Sequence, residues 1–414
     1  MFLRLLIALG LVLTGLVDPD AELVSAWRRA IAEEGAPASV AEAERDEAEE
    51  GGESEGEEPG EDGVLDGVDG STDAEDEDED EDAGDDESEE GKTWVMHEVV
   101  PAEDIAALAL RYRVDPGKIR AWNGLGARAK IRPGQRLRIL ARRTPPPREL
   151  RRHLVIEGES WSSIGRAYGV DASDLRVANA KRVGRRLRPG VELEVWIDPP
   201  LYAAITGDTP PPGLAGTIRP GAFASGRPHA GRLINGVQIP EGEDYELRYP
   251  ASAWGTTSAV RATVTALHAW REATGYEGRL TLGAMSRQRG RKIGGHLSHQ
   301  NGRDLDIRLP LRAELRQDLD PLPRRVDWMA VWELVRSFEA SGEITRIFLD
   351  YAIQKRLYKA AKEAGISRSE LRRVIQFPRG SKAPRGLIRH SPGHDIHLHV
   401  RFRCAEHELE CAGR

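Results

Sequence analysis

The feature that most restricts how this chain can fold is a pair of segments in gapless register at a constant offset of 56 residues. His97, Val99 and Glu103 are matched by His153, Val155 and Glu159. Tyr112, Val114 and Asp115 are matched by Tyr168, Val170 and Asp171, and Asn123 by Asn179. Arg132-Pro133-Gly134 and Leu137 are matched by Arg188-Pro189-Gly190 and Leu193. A register held this long without a gap means one supersecondary unit used twice.

Each copy has the same local grammar. A short strand is expected at 98–100 and at 154–156. Ile105, Leu108, Ala109 and Tyr112, like Trp161, Ile164, Gly165 and Tyr168, follow helical spacing. A second short helix starts near Pro116 or Ala172, with Asp115 or Asp171 placed to cap it, and ends near Asn123 or Asn179. A Pro-Gly turn then leads into a closing strand at 135–140 or 191–197. The β-α-α-β order, the Tyr-x-Val-Asp step, the Asn after the second helix and the Arg-Pro-Gly-x-x-Leu ending resemble the LysM wall-binding modules. Glu157-Gly158-Glu159 adds the turn usual in that family, whereas the first copy has Val100-Pro101-Ala102 there. The resemblance implies two modules, at 95–141 and 152–198, that bind N-acetylglucosamine-containing glycans in a shallow groove.

The segments around the repeats differ sharply in charge. Residues 1–92 hold 33 Asp+Glu against 5 Lys+Arg, and the rest of the chain holds 35 against 54. The overall net charge of −9 therefore averages an acidic arm and a basic body, and a basic body suits an anionic partner. Residues 36–92 form a low-complexity acidic tract with too little apolar surface to offset chain entropy, so it is expected to be disordered. Arg4 followed by the apolar run 5–17 reads as an export signal within residues 1–26, too short for an ordinary membrane span. No stable membrane span is expected after processing. The only two cysteines, Cys404 and Cys411, would form one local disulfide in an oxidising compartment. Pro145-Pro146-Pro147, Pro199-Pro200 and Pro210-Pro211-Pro212 read as semi-rigid spacers between domains.

Residues 213–414 form a third domain of α+β class. Helices are expected at 254–274, 328–341 and 352–364, and strands at 278–283, 344–349 and 395–403. Six of the chain's 11 histidines fall in two clusters, His296 and His299 in one, and His390, His394, His397 and His399 in the other. His397 and His399 are two apart on a strand and share a face, as do Asp304 and Asp306. Gly294-Gly295 and Gly302 permit tight turns that bring His299 toward Asp306. Imidazoles and carboxylates on facing strands are costly as plain core and fit a tetrahedral cation such as zinc. Periodicity alone does not choose between Asp304 and Asp306. A serine triad is disfavoured, since the chain lacks a Gly-x-Ser-x-Gly elbow.

The segments Gly-Gly-His-x-Ser-His-Gln-x-Gly-x-Asp-x-Asp at 294–306 and His-x-x-His-x-His-Val-Arg, which ends at Arg401, resemble the penicillin-insensitive murein endopeptidases. These are relatives of the zinc D-Ala-D-Ala metallopeptidases. The resemblance implies an α+β zinc-peptidase domain with an antiparallel sheet. It implies Zn²⁺ ligands at His299, Asp306 and His399, a catalytic His397, and further active-site histidines at His394 and His296. It also places Cys404 and Cys411 where the family has a local disulfide. The implied activity is hydrolysis of the D-alanyl–meso-diaminopimelate cross-link in peptidoglycan by a periplasmic or wall-exported enzyme. The basic residues Arg401, Arg303 and Arg287 would then face the substrate's carboxylates. The readings set beside it are a zinc carboxypeptidase acting on single stem peptides and a non-catalytic wall-binding scaffold. Nucleic-acid binding finds no recognition motif here.

Overall fold

The computed structural model describes residues 91–413, apart from 184, 185, 212, 215 and 316–318. The expected export signal and residues 36–90 of the acidic tract lie outside the described residues. Among the described residues, no helix is long and apolar enough to cross a membrane.

The first repeat runs β1 (Thr93–Glu98), α1 (Ile105–Tyr112), α2 (Pro116–Trp122) and β2 (Arg136–Ala141). The second runs β3 (Glu149–Leu154), α3 (Trp161–Tyr168), α4 (Ala172–Ala178) and β4 (Glu192–Ile197). In each repeat the two strands pair antiparallel, with His97 opposite Leu137 and His153 opposite Leu193. The apolar faces of the helices close over Leu137 and Ile139, or over Leu193 and Val195. The opening strands end near where the sequence reading starts them. Their half-exposed residues, including Arg151 and Arg152, show no apolar alternation, and the ladder with the closing strand makes them strands.

Several of the repeated polar residues are internal struts. The Glu103 carboxylate accepts hydrogen bonds from His97 Nε2 at 2.8 Å and Val100 N at 2.9 Å. Glu159 repeats this with His153 Nε2 at 2.7 Å and Ile156 N at 2.9 Å. The other ring nitrogen of each histidine meets a tyrosine hydroxyl, Tyr112 at 3.0 Å and Tyr168 at 3.2 Å. Asn179 donates to Leu175 O and Glu194 O and accepts from Glu194 N, tying α4 to β4, and Asn123 does the same for α2 and β2.

Pro199-Pro200, read from sequence as part of a spacer, instead opens a helix, α5 (Pro199–Thr206). Proline fits the first turn of a helix because the N–H it lacks has no intrahelical partner there. Tyr202 on α5 stacks on Tyr168 at 5.7 Å between ring centroids, while Leu201 and Ile205 pack with Phe223 and Ile234 of the next domain. The helix therefore joins the second repeat to that domain as a packed element.

The C-terminal domain continues with β5 (Phe223–Arg227), β6 (Ala230–Ile234), β7 (Val237–Gln238), β8 (Tyr245–Leu247), β9 (Trp254–Gly255) and α6 (Thr257–Thr274). After these come β10 (Leu280–Leu282), β11 (Asp304–Arg308), α7 (Trp328–Ala340) and β12 (Ile344–Phe348). Last are α8 (Tyr351–Glu363), α9 (Arg368–Val374), β13 (Ile388–Arg389) and β14 (His397–Phe402). The helix expected from 254 begins three residues later. Trp254 and Gly255 pair with β7, and the Thr256 hydroxyl caps the helix by accepting from Ala259 N at 3.2 Å.

Six strands form one sheet in the order β13-β12-β14-β11-β10-β8, antiparallel at its centre and closed at each edge by a parallel pair. One face of the central strands carries Leu305, Ile307, Leu398 and Val400, all fully buried in a core that includes Leu267 and Trp270 of α6 and Val335 and Phe338 of α7. Each such aliphatic side chain contributes about 1.5–3 kcal/mol by burial. Trp270 also donates from its indole to Ala330 O at 2.8 Å, which fixes α6 against α7. Cys404 and Cys411 form a disulfide after β14.

Candidate metal centre

The face of β11 and β14 opposite the core carries the polar residues. The antiparallel register sets Asp304 against Arg401, Asp306 against His399 and Arg308 against His397. Side chains two apart on each strand thus meet across the ladder in one row. His296 and His299 reach this row from the loop before β11. That loop turns through left-handed backbone at Gly295 (φ 81°), His299 (φ 64°) and Gly302 (φ 74°). At Gly302 a Cβ would lie 2.9 Å from the Gly255 backbone, so only glycine fits the crossing.

Asp306 lies at the middle of the cluster. Its carboxylate is 3.4 Å from His299 Nε2, 3.5 Å from His399 Nδ1, 3.8 Å from His397 Nε2 and 3.8 Å from His296 Nδ1. His394 completes the group, with Nε2 3.4 Å from His399 Nδ1 and its ring 4.8 Å from that of His397. All six residues singled out from sequence, His296, His299, Asp306, His394, His397 and His399, therefore converge on one place. His296, His299 and Asp306 present ligand atoms that all lie within 4.8 Å of one another. Phe348 covers the far side, edge-on to His399 at 5.2 Å.

His390 does not join the cluster. Its Nδ1 accepts from Tyr351 N at 3.0 Å, and it serves the loop ahead of α8. Nor does Arg303 face the site. It is fully buried and donates to Phe402 O, Ala412 O and Gly413 O, holding the C-terminal strand and tail. Its place beside Asp304 in sequence hid the strand alternation that turns it inward. Arg401 is engaged by Asp304 through Nε at 2.8 Å, and Arg287 is exposed.

Among the described residues, His299 Nε2 and Asp306 Oδ1 are buried and make no hydrogen bond, although they face each other. A cation between them would satisfy both, and the nitrogen and oxygen donors suit zinc. The electrostatics point the same way. Burial alone would raise both carboxyls, yet Arg401 and His399 hold Asp304, and His299 and His397 hold Asp306, well below the usual carboxylate range. Burial alone would lower His299, but Asp306 and Asp304 override it and hold the imidazole at about 9. For His399 burial wins over Asp304 and pushes it down to about 4, and burial likewise lowers His397. Two buried ionised carboxylates demand positive charge. Arg401 answers one, and a metal ion in place of the His299 proton would answer the other.

The family model described as penicillin-insensitive murein endopeptidase matches residues 224–414, and the LysM domain model matches residues 97–140 and 153–196. Proteins named penicillin-insensitive murein endopeptidase from Yersinia enterocolitica and Pectobacterium atrosepticum are 34% and 35% identical to this chain. Each match covers 30% of this chain, and 44% and 43% of those proteins. The protein of that name from Escherichia coli O157:H7 is 31% identical over 30% of this chain and 44% of its own length. The chain thus spans less than half the length of these relatives. Residues 224–414 are therefore similar to the penicillin-insensitive murein endopeptidases, and the two segments before them are similar to LysM domains.

Proposed function

We propose that this chain is an exported zinc endopeptidase that hydrolyses D-alanyl–meso-diaminopimelate cross-links in peptidoglycan, with its LysM domains holding the glycan strands. The observation that carries the reading is the Asp306 carboxylate ringed by imidazoles, with His299 Nε2 and Asp306 Oδ1 buried and without hydrogen bonds. His299, Asp306 and His399 would hold the metal. Bound there, zinc supplies Lewis-acid activation of water and of the scissile carbonyl. His397, part-exposed with Nε2 3.8 Å from Asp306, would take the proton of the attacking water and pass it to the leaving amine. His394, with its ring packed on His397 and its Nε2 3.4 Å from His399 Nδ1, would line the site beside both. His296, at the part-exposed rim, would orient the substrate beside His299. The basic body suits the carboxylates near the bond, with exposed Arg287 available to meet them.

Digestion of purified cross-linked peptidoglycan by the full chain, followed by mass analysis of the muropeptides, tests the reading. Conversion of cross-linked dimers to monomers, abolished by chelator and restored by Zn²⁺, is the expected result. Benzylpenicillin should leave the rate unchanged, because no serine acyl-enzyme is formed. Cleavage confined to single stem peptides would replace the reading with a carboxypeptidase, and wall binding with no cleavage would replace it with a scaffold.

A further inference from the structure

Asp304 shares a strand face with Asp306, is fully buried, and has no part in the ligand set proposed above. Its two oxygens reach three residues on two other segments, β14 and the loop before β11. Oδ1 receives Arg401 Nε from β14 at 2.8 Å and lies 3.2 Å from His399 Nε2 on the same strand. Oδ2 accepts from the backbone N of His299 at 3.2 Å. That backbone sits in left-handed conformation (φ 64°), which is uncommon for residues other than glycine.

The consequence lies in which ring nitrogen each histidine turns inward. An acceptor beside one nitrogen keeps the proton there and leaves the lone pair on the other. At His299, Met285 O lies 3.1 Å from Nδ1, so Nε2 faces Asp306. At His399 the order is reversed: Asp304 Oδ1 lies 3.2 Å from Nε2, near but without a formed hydrogen bond, and Nδ1 faces Asp306 at 3.5 Å and His394 Nε2 at 3.4 Å. We infer that Asp304 is a positioning residue that fixes both histidines of the metal centre, selecting the Nδ1 face of His399 through its side chain and the loop conformation of His299 through its backbone. Arg401 pairs with the carboxylate through Nε at 2.8 Å and holds it in place. Phe348 lies beneath the Arg401 guanidinium at 5.0 Å and against His399, so the strut is packed as well as paired.

This inference rests on the metal centre proposed above, and two measurements on the full chain test it separately from that reading. Nitrogen-15 NMR of the metal-free protein reports the ring tautomer directly. His399 is expected to carry its proton on Nε2, and a proton on Nδ1 overturns the inference without any variant. Competition for Zn²⁺ against a chelator is the second measurement. Asp304→Asn keeps the shape but loses the charge, and should weaken zinc binding by about 10- to 100-fold in a metal-free protein that is still folded by circular dichroism. The visible absorption of the Co²⁺-loaded protein should shift with it. Wild-type zinc affinity in folded Asp304→Asn overturns the role of Asp304 alone. A wild-type chain that takes up no zinc, like His299→Ala, overturns the metal centre and the role together.

Discussion

At Asp306 a buried carboxylate faces four imidazole nitrogens within 3.8 Å, an arrangement that organises donors around a cation rather than filling a core. Asp306→Asn should therefore fold, lose stoichiometric zinc and reduce cross-link hydrolysis to background in the muropeptide assay. His397→Ala should separate binding from chemistry. Zinc uptake should persist while the turnover rate falls by about 10²- to 10⁴-fold, as for loss of a proton-transfer group. The histidine pair at 397 and 399 and the carboxylates at 304 and 306 were legible in sequence because a strand shows alternate residues on one face. What periodicity could not supply was the cross-strand register that sets Asp306 opposite His399 and Asp304 opposite Arg401. For the same reason Arg303 looked like a surface cation, when alternation turns it into the interior to hold the chain's last residues.

Single elements obey two kinds of constraint, one visible in a sequence and one not. The repeats were legible because their helices and closing strands carry buried apolar residues at regular spacing, with caps and turns at matching positions. Asn179 shows why a polar residue recurs with them, since with no exposure it makes one hydrogen bond back to α4 and two to β4. Asn179→Ala leaves buried backbone groups unpaired and should cost about 1–3 kcal/mol in urea denaturation. Gly302→Ala should be more damaging than an ordinary surface change, because the new Cβ meets backbone at Gly255 in a left-handed turn. Loss of zinc binding is expected to accompany the loss of stability, since that turn presents His299. The helix at 199–206 was not legible, because its opening prolines are common to spacers and to first turns, and only the packing of Tyr202, Leu201 and Ile205 decides between them.

Over the larger molecule, arginines around the first repeat join it to the rest of the chain. Arg111 pairs with Asp198 and donates to Pro146 O, which holds the Pro-rich segment expected to act as a spacer. Arg143 donates to Leu409 O, and Arg148 pairs with Glu410 within the disulfide-closed loop and approaches Glu103 at 3.6 Å. Burial raises the Glu410 carboxyl against the pull of Arg148, so the pair is a costly one to break. Arg148→Ala should cost about 3–5 kcal/mol by leaving Glu103 and Glu410 buried without it. Faster proteolysis between residues 142 and 149, with the disulfide intact, would report the released contact. No amphipathic pattern announces such a junction, because long arginines on a surface read as solvated charge until a partner surface is present.

The central claim is that the imidazole-ringed carboxylate is a zinc centre built from His299, Asp306 and His399. A crystal structure of the zinc-loaded full chain, with anomalous scattering recorded at the zinc edge, tests it most directly. One anomalous peak is expected between His299 Nε2, Asp306 Oδ1 and His399 Nδ1. No peak there, or a peak held by His296, His299 and Asp306 with His399 outside bonding distance, would contradict it.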